Sequence, residues 1–207
     1  MEEEVFISAH GLTLEGRLVP GTSAGGAVIA HPHPLYGGSM DNNVVWTAHQ
    51  AFVARGWSTL RFNFRGVGRS TGTYGEGLAE VADVAAALSF LRQRCSGPYV
   101  IAGYSFGAAV AARAMLSGLD ADGLILVSPP IALMDMDFLP RVPRVLLVVA
   151  GDADSLCPLD RLQAALKARH AAVELAVISG TDHFYGGREE QLFRLLRDHP
   201  LNLLATG

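Results

Sequence analysis

The chain has 207 residues, half of them hydrophobic and 17% charged, with a net charge of −4 and no basic block anywhere. A chain this apolar buries a sizeable core, which excludes disorder-based functions. The missing cluster of Lys and Arg excludes the electrostatic footprint of a nucleic-acid binder.

The length predicts one domain over residues 1–207. The longest wholly apolar run, Val145 to Ala150, falls far short of the roughly 20 residues that cross a bilayer. The opening Met1-Glu2-Glu3-Glu4 is acidic where a signal peptide is basic. Cys95 and Cys157 show no C-x-x-C spacing, so the reading is a reducing compartment, the cytoplasm, with no disulfide framework. Lys167 is the sole lysine and no phosphate-binding G-x-x-x-x-G-K-[ST] is present. The expected partner is a small-molecule substrate, with no nucleic acid and no membrane; a homodimer is compatible with this reading.

Alternation in Val5–Ser8 and Leu12–Leu18 around His10-Gly11 predicts an antiparallel hairpin. Apolar runs without alternation follow: Ala27–Ala30, Trp57–Phe62, Tyr99–Ala102, Leu124–Val127, Val145–Ala150 and Val173–Ile178, as in strands buried on both faces. Between them, helical spacing covers Val44–Ala54, Leu78–Arg94, Ala108–Leu116, Asp160–Arg169 and Glu189–Arg197. Asp41-Asn42-Asn43 and Asp160 are expected N-caps, and Gly56, Gly97-Pro98 and Gly118 expected stops. The alternation implies an α/β fold, a mostly parallel sheet with helices on both faces. The connection from Ser128 to Pro143 is too short for a helical lid domain and is expected to lie over the sheet edge as a flap.

Ligand sites in open parallel sheets form beyond the carboxyl ends of the strands, and four junctions there are unusual. Gly103-Tyr104-Ser105-Phe106-Gly107 has the G-x-S-x-G pattern between a strand and a helix, which holds a serine hydroxyl clear of the backbone at a helix N-terminus. Ser105 is the candidate nucleophile; the alternative is a serine that only caps the helix. After the most apolar strand, Gly151-Asp152-Ala153-Asp154 offers a carboxylate to orient a histidine, with Asp154 preferred and Asp152 its rival. The loop Gly180 to Gly187 presents His183 as the base. Ser105, Asp154 and His183 follow strands in the Ser…Asp…His order of this mechanism.

The fourth junction is His31-Pro32-His33-Pro34-Leu35-Tyr36-Gly37-Gly38-Ser39-Met40. His-x-His invites a metal reading, but a hydrolytic zinc site usually takes three protein ligands and spacing marks no third, so no metal and no cofactor are assigned. Acyl transfer needs two N–H donors aimed at the developing oxyanion, one following the nucleophile, here Phe106, and one from this loop. Pro32 and Pro34 lack an N–H, which leaves Leu35, the preferred donor, or His33. Tyr36, Met134, Met136, Phe138 and Phe184 are the expected apolar lining, Tyr36 and Phe184 being the substrate-binding candidates. Gly66, Gly68 and Gly72 form G-x-G-x-x-x-G, one residue longer than the dinucleotide fingerprint and with no strand-to-helix step after it. Asn63 and Arg65 beside it are read as loop-ordering residues, the alternative being Arg65 on an anionic substrate group.

Taken together with Arg61 to Ser70 and Asp182-His183-Phe184, these motifs span essentially the whole chain and resemble the α/β-hydrolases, in particular the small lidless enzymes near dienelactone hydrolase and the acyl-peptidase-like branch. The resemblance implies an eight-stranded, mostly parallel twisted sheet with an antiparallel start, and Ser105 as nucleophile, Asp154 as acid and His183 as base. Dienelactone hydrolase has a cysteine nucleophile where this chain has Ser105, so its substrate is not carried over. The expected activity is that of a carboxylesterase-like serine hydrolase acting on a small or short-acyl ester, thioester or activated amide through an acyl-enzyme. The alternatives are a non-hydrolytic enzyme or a binding protein on the same scaffold.

Overall fold

A computed structural model describes residues 1–201. The hairpin forms as expected: β1 (Glu3–Ala9) pairs antiparallel with β2 (Leu12–Val19) through the turn His10-Gly11, both residues of which have positive φ. Such a turn matches the right-handed twist of the flanking strands. Six further strands follow, β3 (Gly26–Ala30), β4 (Ser58–Phe62), β5 (Tyr99–Tyr104), β6 (Gly123–Val127), β7 (Val145–Gly151) and β8 (Glu174–Ile178). The eight-stranded order is β1-β2-β4-β3-β5-β6-β7-β8, antiparallel through β2·β4 and parallel from there on.

The helices are α1 (Asn43–Ala54), α2 (Glu80–Arg92), α3 (Phe106–Leu116), α4 (Leu159–Lys167) and α5 (Glu189–Asp198). The uninterrupted apolar strands make sense once both faces are covered. Val28, Ile101, Leu124 and Leu126 join one buried cluster with residues of α2, α3 and α4. Their strand neighbours Ala27, Ile29, Val100, Ile125 and Val127 join a second with α1 and α5. Alternate side chains thus enter opposite apolar layers.

Boundaries move by a few residues where capping decides them. Asn42 caps α1, its Oδ1 accepting the Val44 N–H at 2.9 Å, whereas Asp160 lies inside the first turn of α4 and Pro158 holds the cap position. Trp57 precedes β4. The connection 128–143 contains one short 3₁₀ turn, Leu139–Arg141, and no longer helix. Among the described residues, no helix is long and apolar enough to cross a membrane.

Chain direction across the sheet positions the site. From β3 the chain runs through α1 to β4 on one side, then crosses back through α2 to β5 on the other. Beyond β3 and β5 the connections therefore diverge, which opens a crevice at the strands' carboxyl ends. Arg65 does not reach this crevice. Its backbone N–H, Nε and Nη2 all bond the fully buried Asp83 of α2, with Nη2 at 2.7 Å. Removing one partner from such a buried pair costs roughly 3–5 kcal/mol, so Arg65 has a structural role. Asn63 is also loop-ordering, accepting the Met40 N–H and donating to Glu15 Oε2, each at 2.9 Å.

Two buried histidines tie stability to pH. Burial holds His31 and His49 neutral, each lowered from 6.5 to about 4. Neither ring nitrogen of His49 has a hydrogen-bond partner among the described residues. Below pH 6.5 the unfolded chain binds protons at these positions that the folded chain refuses, so stability falls as pH drops from 6.5 towards 4. Urea unfolding of His49→Met across this window should show a shallower decline than the parent protein; an unchanged slope would remove His49 from the account.

Candidate active site

The turn from β5 into α3 is the sharpest in the site. Ser105 has φ +54° and ψ −120°, a conformation costly for a residue with a Cβ. The turn closes because its flanks are small. A Cβ on Gly103 would strike the Gly107 carbonyl, and one on Gly107 would strike the Ala30 carbonyl at the end of β3. Ser105 N–H donates to Val127 O of β6 at 2.9 Å. Its side chain makes no capping bond to α3, so the helix-cap alternative fails.

Instead, Ser105 Oγ lies 2.9 Å from His183 Nε2, and His183 Nδ1 lies 2.9 Å from each oxygen of Asp154. With Nδ1 donating to the carboxylate, Nε2 is left as the acceptor for the serine hydroxyl. All three residues are at least nine-tenths buried. Burial pushes the Asp154 carboxyl up, but the hydrogen bond from His183 and the other donors around the carboxylate outweigh it and hold the group below its ordinary value. Asp154 Oδ1 also accepts the N–H groups of Leu156 and Cys157, both at 2.9 Å. Asp152, the rival, points away and orders the next turn, accepting from Ser179 Oγ at 2.9 Å and Gly180 N–H at 2.6 Å.

The loop after β3 corrects one expectation. Leu35 is not a free donor: its N–H bonds His33 Nδ1 at 3.2 Å, and its side chain is exposed. The two prolines make the loop a short 3₁₀ turn with His33 at its cap position. The backbone N–H groups of His33 and Phe106 have no acceptor among the described residues.

Both histidines of the H-x-H pair bind their own surroundings. His31 Nδ1 donates to Pro32 O at 2.6 Å and Nε2 accepts the Phe64 N–H at 3.0 Å, anchoring the loop to the end of β4. His33 Nε2 lies 3.1 Å from Tyr74 Oη, and its ring packs against Phe106 at 4.9 Å between centroids. Burial lowers the His33 imidazole, which keeps it neutral.

A cleft of about 270 Å³ opens over Ser105 and His183, walled by His33, Tyr36, Tyr104, Leu133, Leu156 and Phe184. Tyr36 and Phe184 line it as expected. Met134, Met136 and Phe138 do not: Met136 and Phe138 are buried in the core, and Met134 packs beside it. The flap contributes Leu133 instead, because its turn at residues 131–133 aims that side chain outward while the methionines fold under it.

Supporting residues emerge that the motif reading passed over. Tyr104 Oη donates to His183 O at 2.7 Å and Asn43 Nδ2 to Phe184 O at 3.0 Å, so the backbone at and just after the histidine is held at two successive carbonyls. Ser128 follows β6 directly, and its hydroxyl lies 2.8 Å from Tyr185 Oη. A polar residue at the carboxyl end of a buried strand was the available signal for Ser128. Tyr104, Asn43 and Tyr185 carried none, since their partners are distant in sequence.

The chain is similar to known proteins. The family described as serine aminopeptidase, S33 (Hydrolase_4) matches residues 37–163, which include Ser105 and Asp154. An uncharacterized protein of Rickettsia prowazekii is 33% identical, over 98% of this chain and 90% of its own length. A structure of an α/β serine hydrolase homologue from Coxiella burnetii has a TM-score of 0.88 at 35% identity, covering 95% of this chain and 96% of that one. One from Xanthomonas campestris, described as an α/β serine hydrolase without a lid, has a TM-score of 0.86 at 29% identity, over 95% and 92% of the two chains. The chain belongs to the α/β-hydrolase superfamily, in the family described as serine aminopeptidase, S33.

Proposed function

We propose that this protein is a carboxylesterase-like serine hydrolase of small, uncharged acyl esters, with Ser105 as nucleophile, His183 as general base and Asp154 as its orienting acid. The observation that carries the reading is the unbroken contact from Asp154 through His183 to a Ser105 hydroxyl held on a strained turn. His183 Nε2 takes the Ser105 proton as Oγ attacks the ester carbonyl. The oxyanion that forms accepts hydrogen bonds from the N–H groups of Phe106 and His33, with the N-terminus of α3 adding its dipole. The imidazolium then protonates the departing alcohol. Water, deprotonated by His183, cleaves the acyl-enzyme and returns the serine proton. The Asp154 carboxylate supports the imidazolium at each stage, an attraction strengthened by the low-dielectric surroundings.

The cleft supplies the substrate class. None of its lining residues is Asp, Glu, Lys or Arg. An aminopeptidase holds a substrate α-ammonium, and a charged group of either sign brought into this cleft meets no countercharge on its walls. A compact cleft of about 270 Å³ beside Ser105 supports a small acyl group as the reading. Peptide hydrolysis, which the family description raises, is the second reading, and the same chemistry would serve it.

In assays with p-nitrophenyl esters, Ser105→Ala should lose about 10³-fold or more in kcat with an unchanged melting temperature. Asp154→Asn should lose a similar factor, while Asp152→Asn keeps activity within about threefold, because Asp152 bonds Ser179 and Gly180 in the turn after β8 and not His183. Retained activity in Ser105→Ala, or loss confined to Asp152→Asn, overturns the assignment.

Across a panel of p-nitrophenyl esters and aminoacyl p-nitroanilides, acetyl to hexanoyl esters should have the highest kcat/KM, with dodecanoyl esters and α-ammonium substrates at least about tenfold lower. A preference for free amino termini would favour the peptidase reading. Absence of turnover together with no labelling of Ser105 by a fluorophosphonate would favour a binding protein.

A further inference from the structure

The connection from β4 to α2, residues 63–79, carries the glycine-rich run that the proposed chemistry leaves unused, and its far end reaches the loop after β3. Tyr74 Oη lies 3.1 Å from His33 Nε2. The neighbouring backbone is pinned by Glu80, which is fully buried at the start of α2 and accepts the N–H groups of Gly75 at 2.7 Å and Gly77 at 2.9 Å. Gly77 in turn lies against α3. A Cβ there would come within 3.2 Å of Phe106 Cε2, and its φ of +75° suits glycine in any case.

Three rings meet at this point. Centroids are 4.9 Å apart for His33 and Phe106, 5.2 Å for His33 and Tyr74, and 5.9 Å for Tyr74 and Phe106, all at the separations aromatic pairs prefer. His33 and Phe106 are the two residues whose N–H groups the proposed reaction uses, so their side chains join the two segments that carry those groups. Hydrogen bonding gives the group a direction. The Leu35 N–H donates to His33 Nδ1 at 3.2 Å, which leaves that nitrogen without a proton. Burial lowers the His33 imidazole and keeps it neutral. Its one proton is then on Nε2, and the Tyr74 oxygen accepts it. An imidazole protonated on Nδ1 would face the Leu35 N–H with a second donor and break the turn.

We propose that Tyr74 is a positioning residue: its hydroxyl holds the His33 imidazole in the Nε2–H tautomer and its ring completes the contact with His33 and Phe106, which together set how closely the loop after β3 approaches the start of α3. The inference rests on the serine-hydrolase reading, since that reading assigns the N–H groups of His33 and Phe106 to the substrate oxyanion. Tyr74 is not among the residues lining the cleft, so it acts through His33 and not on the substrate. Displaced donors weaken the transition state more than the bound ester, because they are aimed at charge that develops only during attack. Loss of Tyr74 therefore lowers kcat and leaves KM in place.

The test separates hydroxyl from ring. Tyr74→Phe removes the hydroxyl alone; Tyr74→Leu removes both. On the parent and both variants, kcat and KM are measured with a p-nitrophenyl ester, the His33 tautomer is read by imidazole nitrogen NMR at neutral pH, and melting temperature controls for folding. For Tyr74→Phe, kcat should fall about tenfold with KM within about twofold of the parent; for Tyr74→Leu, kcat should fall about 10²-fold, the scale of a misplacement of about 1 Å. The parent His33 should be protonated on Nε2, and Tyr74→Phe should show both tautomers. A folded Tyr74→Phe with parental kcat overturns the proposal, whether or not its KM has risen, and so does a parent His33 protonated on Nδ1. Should Tyr74→Leu fail to fold, Tyr74→Phe decides by itself. The tautomer measurement needs no turnover. A parent with the Nε2–H tautomer that neither hydrolyses esters nor reacts with a fluorophosphonate sinks the hydrolase reading, whereas an active parent with the reverse tautomer sinks the role of Tyr74 alone.

Discussion

The turn at Ser105 is the constraint around which the rest of the crevice is arranged. A residue with a Cβ at φ +54° is disfavoured, of order 1–3 kcal/mol, and the turn survives because β5, α3 and β3 meet there at backbone contact. Gly107 lies against the Ala30 carbonyl, where no side chain fits. The same approach brings the loop after β3, which carries His33, against the start of α3. Without that approach, the helix would start further from the sheet and the hydroxyl would no longer face His183.

Around this turn, polar groups are buried in fixed protonation states. His31 and His33 are held neutral by burial, each with one nitrogen donating and the other accepting. Asp154 is held ionised, its burial outweighed by the donors surrounding it. In the proposed acyl transfer, a site built this way needs little rearrangement when charge develops on a substrate oxygen. The two histidines of the H-x-H pair shape the loop that carries the second amide of that proposal.

The contacts that hold His183, the proposed base, run mostly through the main chain at and after it. Tyr104 bonds the carbonyl of His183 and Asn43 that of Phe184. The imidazole is thereby left free to make its two side-chain contacts while the loop itself is pinned to β5 and α1. Exposed rings at the mouth, Tyr36 and Phe184, belong to the same loops. The wall of the cleft and its chemistry are therefore carried on common segments.

The amino-acid sequence by itself determined the layered α/β architecture, since uninterrupted apolar strands alternating with helical spacing bury both faces of a sheet in one way. It also determined the strand-turn-helix at Ser105 and the order Ser105, Asp154, His183 of the proposed triad, because a G-x-S-x-G pattern between strand and helix is a local, steric signal. What only the tertiary structure decided were choices between neighbours. Asp154 and Asp152 have the same local context and differ in which distant group each faces. The N–H of Leu35, the expected oxyanion donor, bonds the imidazole of His33 instead, a contact that no spacing rule encodes. Met136 and Phe138 turned into the core where Leu133 turned out, and Ser128 met Tyr185 across the site. Local sequence specifies backbone shape over a few residues; the pairing of side chains far apart along the chain is set by how the strands are ordered and how closely their ends approach.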